Sequence, residues 1–430
     1  MSNLNILYNL SKLMRSQWWS YEDLKELQDK KLRAIINFSY HNIPLYHTKF
    51  KNANIMPDDI KTTEDLVKIP YLTKDEIQQN FPKNIVSPNV DLQKCWAPHT
   101  SGSTGKPLTT IYDKKAEDFE KACAMRPNIS CGQKPFDKWV VITSPGNIER
   151  KNITKKWFQK FGIYSQECIS LFEDIKKQIS MLEKLNPDIL DGVSSSLYLI
   201  AKEIKAQNID KIKPKIIYGT SDLLTKYIRE TINTVFDVEM YDQFGSIEMG
   251  RTAWECPSHC GYHIDMESVV MEFIKKGEPV VSGERGEIVY TNLYNYAMPF
   301  IRFKIEDVGI PTDEKCNCGR GLPLMKIIEG RKDDFTIVPD GRIFSPTIWI
   351  VLLMHYNLDQ FKVIQEKIDE IKIQIVPKES FTLETIDELK KRVNAVLGNE
   401  VKIKVEIVDK IPKEKSGKMK SMVSKIHSDW

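Results

Sequence analysis

Residues 213–246 read KPKIIYGTSDLLTKYIRETINTVFDVEMYDQFGS. IIYG is a short apolar run closed by a turn residue. The next dozen residues carry apolar groups at helical spacing, and VEMYDQFG is a second short run, so the segment reads strand, helix, strand. Upstream, DIKKQISMLEKLNPDILDGVSSSLYLIAKEIKAQ (174–207) gives helix, strand DILDGV and helix. KWVVITSPG (138–146) predicts a buried strand, followed by a helix over ITKKWFQKFGI (153–163). Strands alternating with helices predict a mainly parallel sheet in an α/β domain. Ligands of such sheets bind beyond the carboxyl ends of the strands. The segments SPG, DGVSS, YGTSD and QFGSIE end the predicted strands and are therefore the expected pocket lining.

Outward from this sheet the character changes. Residues 1–70 hold Leu, Lys, Tyr and Trp at helical spacing, as in YEDLKELQDKKLRAIINFSYHN (21–42), and predict a helical N-terminal section. MESVVMEFI, GEIVYTNL and MPFIRFKI, between residues 266 and 305, predict short β segments. They suggest an antiparallel or distorted-barrel portion of the same large domain. PHTSGSTGKPLTTIY (98–112) reads as a loop of small residues running into a β-rich stretch. After GRKDDF (330–335) come strand IKIQIVP, helix ETIDELKKRVNAVLG, strand VKIKVEIVD and the Lys-rich KIPKEKSGKMKSMVSK, a small α+β domain in its own right. The expected boundaries are 1–331 for the large domain and 332–430 for the small one.

The chain has 430 residues, room for two to four domains at roughly 100–200 residues each. Hydrophobic residues at 41% and charged residues at 28% exclude a disordered chain, a collagen-like fibre and a small disulfide scaffold. Lys+Arg 62 against Asp+Glu 59 leaves a net charge of +3, so no global basic field for nucleic acid exists. The longest apolar run, IWIVLLM (348–354), reads as core and falls far short of the ~18–20 residues of a membrane span. The N-terminus interleaves apolar and polar residues, unlike a secretory signal, so a cytoplasmic, reducing location is expected. Of the eight cysteines, Cys95, Cys123, Cys131 and Cys168 are scattered and read as small buried hydrophobes.

Thr100 to Pro107 reads TSGSTGKP. Hydroxyls and bare backbone N–H groups can wrap phosphate oxygens, and glycine lets the backbone come close. It is not a Walker A loop, because Lys106 is followed by Pro107. Its order resembles the phosphate loop of adenylate-forming enzymes. Later segments resemble that superfamily's other motifs in the same order: Phe244-Gly-Ser-Ile-Glu248, Arg302 through Asp307 (RFKIED), Gly330-Arg-Lys-Asp-Asp334, and Pro412 through Lys418 (PKEKSGK). HNIPLYHTKF, AMPFIRFK and CNCGRGLP are similar to the phenylacetate–CoA ligase and CapK-like group.

The resemblance implies a large AMP-binding domain with a small mobile C-terminal lid. It also implies attack of a carboxylate on the α-phosphorus of ATP, with Mg²⁺ assisting, pyrophosphate leaving and a thiol taking the acyl group. By resemblance, Ser101, Gly102, Ser103, Thr104, Gly105 and Lys106 cradle the phosphates. Gly219, Thr220, Ser221, Asp222, Asp242, Gln243, Phe244, Gly245 and Ser246 make the adenine site, with Phe244 flanking the base. Glu248 holds Mg²⁺, a hard cation suited to carboxylate oxygen. Asp307 accepts from the ribose hydroxyls with Arg331 assisting, Asp333 or Asp334 is the hinge, and Lys418 is the catalytic cation, singled out among the tail lysines by Ser416-Gly417 before it. Ser144, Gly192, Val193, Tyr218, Gly219 and Tyr241 are the expected wall of the acid pocket. Three positions depart from the family pattern. Ile247 stands where Thr or Ser is usual, Glu306 replaces a glycine, and Ser221 or Asp222 stands for the Glu of the adenine loop.

Cys256, Cys260, His263, Cys316 and Cys318 have the look of a structural Zn²⁺ site, with five residues for four places and the C-x-C pair the firmest. For the acid, the resemblance puts an aryl or arylacetic acid first. The acceptor is CoA, a carrier-protein phosphopantetheine, or no thiol, since some relatives are similar to a synthetase that adenylylates a phenolic hydroxyl on a deazaflavin and stops there. A homodimer stays open. A zinc-dependent nucleic-acid module is the rival reading, but the cysteines lack a CxxC…CxxC pattern and no aromatic-studded basic stripe is present. A non-catalytic adenylate sensor is the other, suggested by Ile247.

Overall fold

The structure is a computed structural model describing residues 2–99, 108–145, 148, 159, 161–221, 223–331, 334–353, 356, 358–378, 382–412 and 420–426. Ser101 through Lys106, Asp222, Asp333, Lys418 and most of the helix expected over 153–163 lie outside the described residues. The chain forms two compact units, Met1–Ile305 with Ile310–Ile327, and Glu306–Gly309 with Ile328–Trp430.

The first unit carries a sheet whose parallel half is β1 (Trp139–Thr143), β2 (Gln166–Ser170), β3 (Ile189–Val193), β4 (Ile216–Thr220) and β5 (Met240–Ser246). They lie in the order β2-β1-β3-β4-β5, all parallel. Helices Ile175–Leu185, Ser194–Ala206 and Lys226–Phe236 follow β2, β3 and β4. Asp174 and Thr225 cap the first and third by accepting from the backbone N–H of Lys176 and Ile228, while Asn186 and Asp237 end them in the left-handed conformation that short polar residues tolerate. The apolar stripes of these helices bury Leu182, Leu197, Ile200 and Ile232 against Val140, Ile142, Leu190, Ile217 and Met240 of the strands. Each such side chain contributes about 1.5–3 kcal/mol on burial.

The sheet continues through β6 (Gly250–Glu255), β7 (Tyr262–Ile264), β8 (Val269–Lys275), β9 (Glu278–Pro279), β10 (Gly286–Asn292), β11 (Phe303–Thr312) and β12 (Leu324–Arg331). Its order from β5 is β6-β7-β12-β11-β10-β8-β9, so a parallel and an antiparallel half share one 12-stranded sheet. MPFIRFKI is a strand only from Phe303 onward. Before it the Asn292 and Asn295 side chains accept from the N–H groups of Tyr294, Asn295 and Ala297, which turns the chain ahead of Pro299. The β-rich stretch expected near 108–112 reduces, among the described residues, to two isolated antiparallel bridges, Trp96 with Tyr112 and His99 with Thr109.

In the second unit β13 (Thr336–Ile337) pairs with β14 (Ile343–Phe344). A four-stranded sheet runs β17 (Lys402–Ile407), β16 (Glu370–Pro377), β15 (Leu358–Lys367), β18 (Met422–Ser424). The alternation in β16 turns Ile371, Ile373 and Ile375 to one face, where Leu389, Val393 and Leu397 of helix Leu383–Leu397 cover them. Residues 348–353 of IWIVLLM fall in helix Thr347–Leu353, and Trp349, Leu352 and Leu353 are core. Among the described residues no helix is long and apolar enough to cross a membrane.

The first unit also buries charge. Arg126, on helix Lys114–Ser130, lies with Nη2 2.5 Å from Asp265 and Nη1 2.7 Å from Glu267, and is fully enclosed. Ser16 donates to Glu267 (2.6 Å) and Trp254 Nε1 donates to Asp265 (2.7 Å). The cluster ties helix Ser2–Ser16 to the sheet. Removing the cation strands two buried carboxylates, so Arg126→Ala lowers stability by about 3–5 kcal/mol in urea unfolding.

Candidate functional site

Register brings the strand ends together. Gly192 of β3 pairs with Gly219 of β4, and Gly219 with Asp242 of β5; one residue on, Val193, Thr220 and Gln243 are level. Ser144 follows β1 at the same edge, and Phe244, Gly245 and Ser246 finish β5 there. Packing demands the glycines. A Cβ on Gly219 would lie 2.4 Å from Met240 Cε and 2.8 Å from Ser194 Oγ. On Gly245 it would lie 2.3 Å from the Gly250 carbonyl oxygen. Ser221 holds a left-handed backbone at φ 74, so the chain turns sharply just past β4.

Not every expected side chain faces outward. Asp242 is buried, receiving the Tyr262 hydroxyl at 2.6 Å, and its own N–H donates to Glu255 at 2.8 Å. Burial, then the Glu255 charge, pushes its pKa up to about 7, against the Tyr262 hydrogen bond and Arg229. Gln243 donates to Asn128 at 2.8 Å. These two side chains serve the interior, and what they offer a ligand is backbone. Tyr218 is fully buried, with its hydroxyl given to the Asn128 carbonyl at 2.9 Å. Tyr241 stacks on His259, with ring centroids 5.1 Å apart and planes 4° from parallel.

Glu248 sits on the turn from β5 to β6, where a register shift follows Phe244. Tyr112 holds this turn. Its hydroxyl lies 3.0 Å from the Ile247 carbonyl and 2.9 Å from that of Glu248, a single donor shared between two acceptors. The Tyr294 hydroxyl donates to Met249 O at 3.1 Å. Trp96 stacks on Tyr112 at 5.0 Å, so Trp96 and the Glu248 turn meet at one aromatic ring. Tyr112 was not singled out from the sequence, where TTIY reads as ordinary strand; its fully buried hydroxyl is the only signal, and it shows once the fold is known. Ile247, by contrast, is 40% exposed.

In the second unit Arg331 Nε lies 3.9 Å from Asp307, and Lys420 pairs with Asp334 at 2.7 Å. Glu306 stands at φ 68, the left-handed conformation a glycine adopts freely. The substitution therefore keeps the glycine backbone. Arg302, the first residue of that motif, is structural: it forms a two-pronged ion pair with Glu272 (3.2 and 2.8 Å) and donates to the Ile69 carbonyl at 2.8 Å.

Cys256 follows β6, His263 lies on β7, and Cys316 and Cys318 lie between β11 and β12. Their ligand atoms all fall within 4.8 Å of one another. Cys256 and Cys316 Sγ are 3.5 Å apart, and Cys318 Sγ is 3.4 Å from His263 Nε2. Zn–S bonds of about 2.3 Å around a tetrahedral ion set edges of about 3.8 Å, so the four fit zinc as a Cys₃His set. Burial, then Arg320, pushes the pKa of His263 down to about 4, which leaves the neutral imidazole that ligates metal. Cys260 stands outside this quartet, its thiol directed to the Ser258 carbonyl at 3.4 Å.

A family model described as the CapK C-terminal domain matches residues 343–425. The chain is 27% identical over 342 residues to phenylacetate–coenzyme A ligase of Pseudomonas putida, spanning 76% of this chain and 75% of that protein. It is 25% identical over 418 residues to protein CapK of Staphylococcus aureus, spanning 94% and 90%. Its fold matches, at TM-score 0.78 and 19% identity over 95% of this chain and 91% of the other, a 2-hydroxyisobutyryl-CoA ligase in the postadenylation state in complex with 2-HIB-AMP. The chain is thus similar over most of its length to phenylacetate–coenzyme A ligases and to protein CapK, and it shares the fold of a solved acyl-CoA ligase.

Tyr112→Phe keeps the ring and its stack and removes one donor from two carbonyls. Denaturant unfolding is expected to show a loss of about 1 kcal/mol, with the slope unchanged.

Proposed function

We propose that this protein joins a carboxylic acid, aryl or arylacetic, to AMP from ATP, releases pyrophosphate, and passes the acyl group to a thiol, CoA first. The observation that supports it is the register of β3, β4 and β5, which sets the DGV, YGT and QFGS motif segments level at one sheet edge. Similarity to named CoA ligases agrees.

Each residue has a part in this reading. Ser101 through Lys106 wrap the phosphates, and the backbone from Gly219 through Asp222 and from Asp242 through Ser246 seats the adenine beside Phe244. Glu248, fixed through its own carbonyl by Tyr112, would hold Mg²⁺, a cation that would supply charge neutralisation for the phosphates. Asp307 and Arg331 take the ribose, Asp333 or Asp334 is the hinge of the C-terminal lid, and Lys418 supplies the point charge where carboxylate and α-phosphate approach. Little covalent work falls to the protein; it orients reactants and stabilises charge. Cys256, His263, Cys316 and Cys318 would hold a structural Zn²⁺, which would clamp β6 and β7 to the 313–323 loop. A reaction that uses CoA and ATP supports a cytoplasmic location.

Pyrophosphate release across aryl, arylacetic, fatty and amino acids, with and without CoA, tests the reading. Release with no acid refutes it, and acid-dependent release unaffected by CoA reassigns the acceptor. Lys418→Ala is expected to lower carboxylate-dependent ATP–pyrophosphate exchange by about 100-fold or more while thiol transfer from preformed adenylate persists. Exchange at the wild-type rate removes Lys418 from its role. Elemental analysis is expected to find zinc near one equivalent per chain, and a folded, metal-free preparation counts against the clamp.

A further inference from the structure

Arg251 is the second residue of β6, just beyond the Glu248 turn and opposite Gly245. Its Nη1 is sealed from solvent and, among the described residues, has no hydrogen-bond partner. Such a donor is expensive to keep: a buried polar group is almost always paired, and a buried cation more so. The surroundings are those of the strand-end edge. Asp191 acts on the guanidinium most strongly among the charged groups, followed by Glu120. Asp191 is level with Tyr218 in the sheet, one residue before Gly192 and Gly219. Glu120 comes from helix Lys114–Ser130, which presses so closely on the start of β6 that a Cβ on Gly250 would lie 2.8 Å from Glu120 Cγ. Arg251 thus stands at the edge where Gly192, Gly219 and Gly245 lie near the ends of their strands, with Asp191 and Glu120 the carboxylates that act on it most.

We propose that Arg251 sets acid specificity by donating from Nη1 to an oxygen on the part of the acid remote from the reacting carboxyl group. The substrate class is then a hydroxylated aryl or arylacetic acid rather than its hydrocarbon parent; this rests on the adenylation reading above. A hydroxyl is the group that fits. Its oxygen accepts from Arg251, and its proton has carboxylates within the same neighbourhood. A second carboxylate on the acid would meet Asp191 and Glu120 with like charge. A bare ring would leave the arginine donor as it stands, sealed and unpaired.

The test compares kcat/KM for pyrophosphate release between phenylacetate and its ortho-, meta- and para-hydroxy forms, and between benzoate and its hydroxy forms. In the wild-type protein at least one hydroxylated member is expected to exceed its parent by about 10-fold or more, as befits a site with a buried donor to satisfy. Arg251→Met is expected to abolish that preference by lowering kcat/KM for the hydroxylated acid alone, and Arg251→Lys to retain part of it. The wild-type comparison needs no variant, so a poorly folding mutant leaves it standing. Equal or better use of the parent acids overturns the proposal. So does a Met variant that shifts thermal stability but keeps the wild-type ratio, since the arginine is then structural. Release from none of these acids but from fatty or amino acids overturns this proposal while adenylation stands; release from no acid at all overturns both.

Discussion

The level alignment of β3, β4 and β5 is the constraint on which the rest of the first unit depends. Parallel strands have no tight turn to fix their offset, so packing must do it. Gly219 shows how. With Met240 Cε and Ser194 Oγ both closer to its backbone than any side chain could tolerate, β4 fits between its neighbours at this height and not two residues along. The same atoms belong to the buried core and to the first turn of helix Ser194–Ala206. Core packing and site geometry are thus enforced by one contact, and neither can be altered without the other.

Charge is handled differently in the two places where it is enclosed. Arg126 is matched through Nη1 and Nη2 by two carboxylates that are themselves held by Ser16 and Trp254, while Arg126 Nε and Asp265 Oδ2 stay without a hydrogen bond among the described residues. Around Asp242, Arg229 binds Glu255 in a two-pronged pair at 2.8 and 2.9 Å, and Asp242 is left to the Tyr262 hydroxyl, which suits its raised pKa. Both networks join β5 to β7 to helices from elsewhere in the chain. They give the sheet a stiff centre where its parallel and antiparallel halves meet.

Much of this was legible in the sequence because β1, β3, β4 and β5 are apolar runs with β-branched residues and clear turn signals at their ends. β6 and β7 were not: GRTAWE opens with a glycine and an arginine, and YHI is three residues long, so neither shows a period. The motif positions were readable as chemistry, but a strand alternates its faces. Residue type alone could not reveal that Asp242 and Gln243 turn inward while their backbone remains at the edge. For the cysteines, spacing narrowed the ligands to five. Choosing among them needed the β6–β7 hairpin, which carries Cys256 and His263 to the same side as the C-x-C loop and leaves Cys260 on the tip. Glu306 was readable as a departure, and only its backbone angle shows that the departure is tolerated.

The two bridges flanking the TSGSTGKP segment have a thermodynamic meaning. His99 and Thr109 are joined, and behind them Trp96 and Tyr112, so the described residues on either side of that segment are already together. The entropy of bringing those ends into proximity is lost once, during folding, and is not charged to any later encounter. In the proposed reading, a phosphate bound between those ends would therefore spend correspondingly less of its intrinsic affinity on ordering the polypeptide.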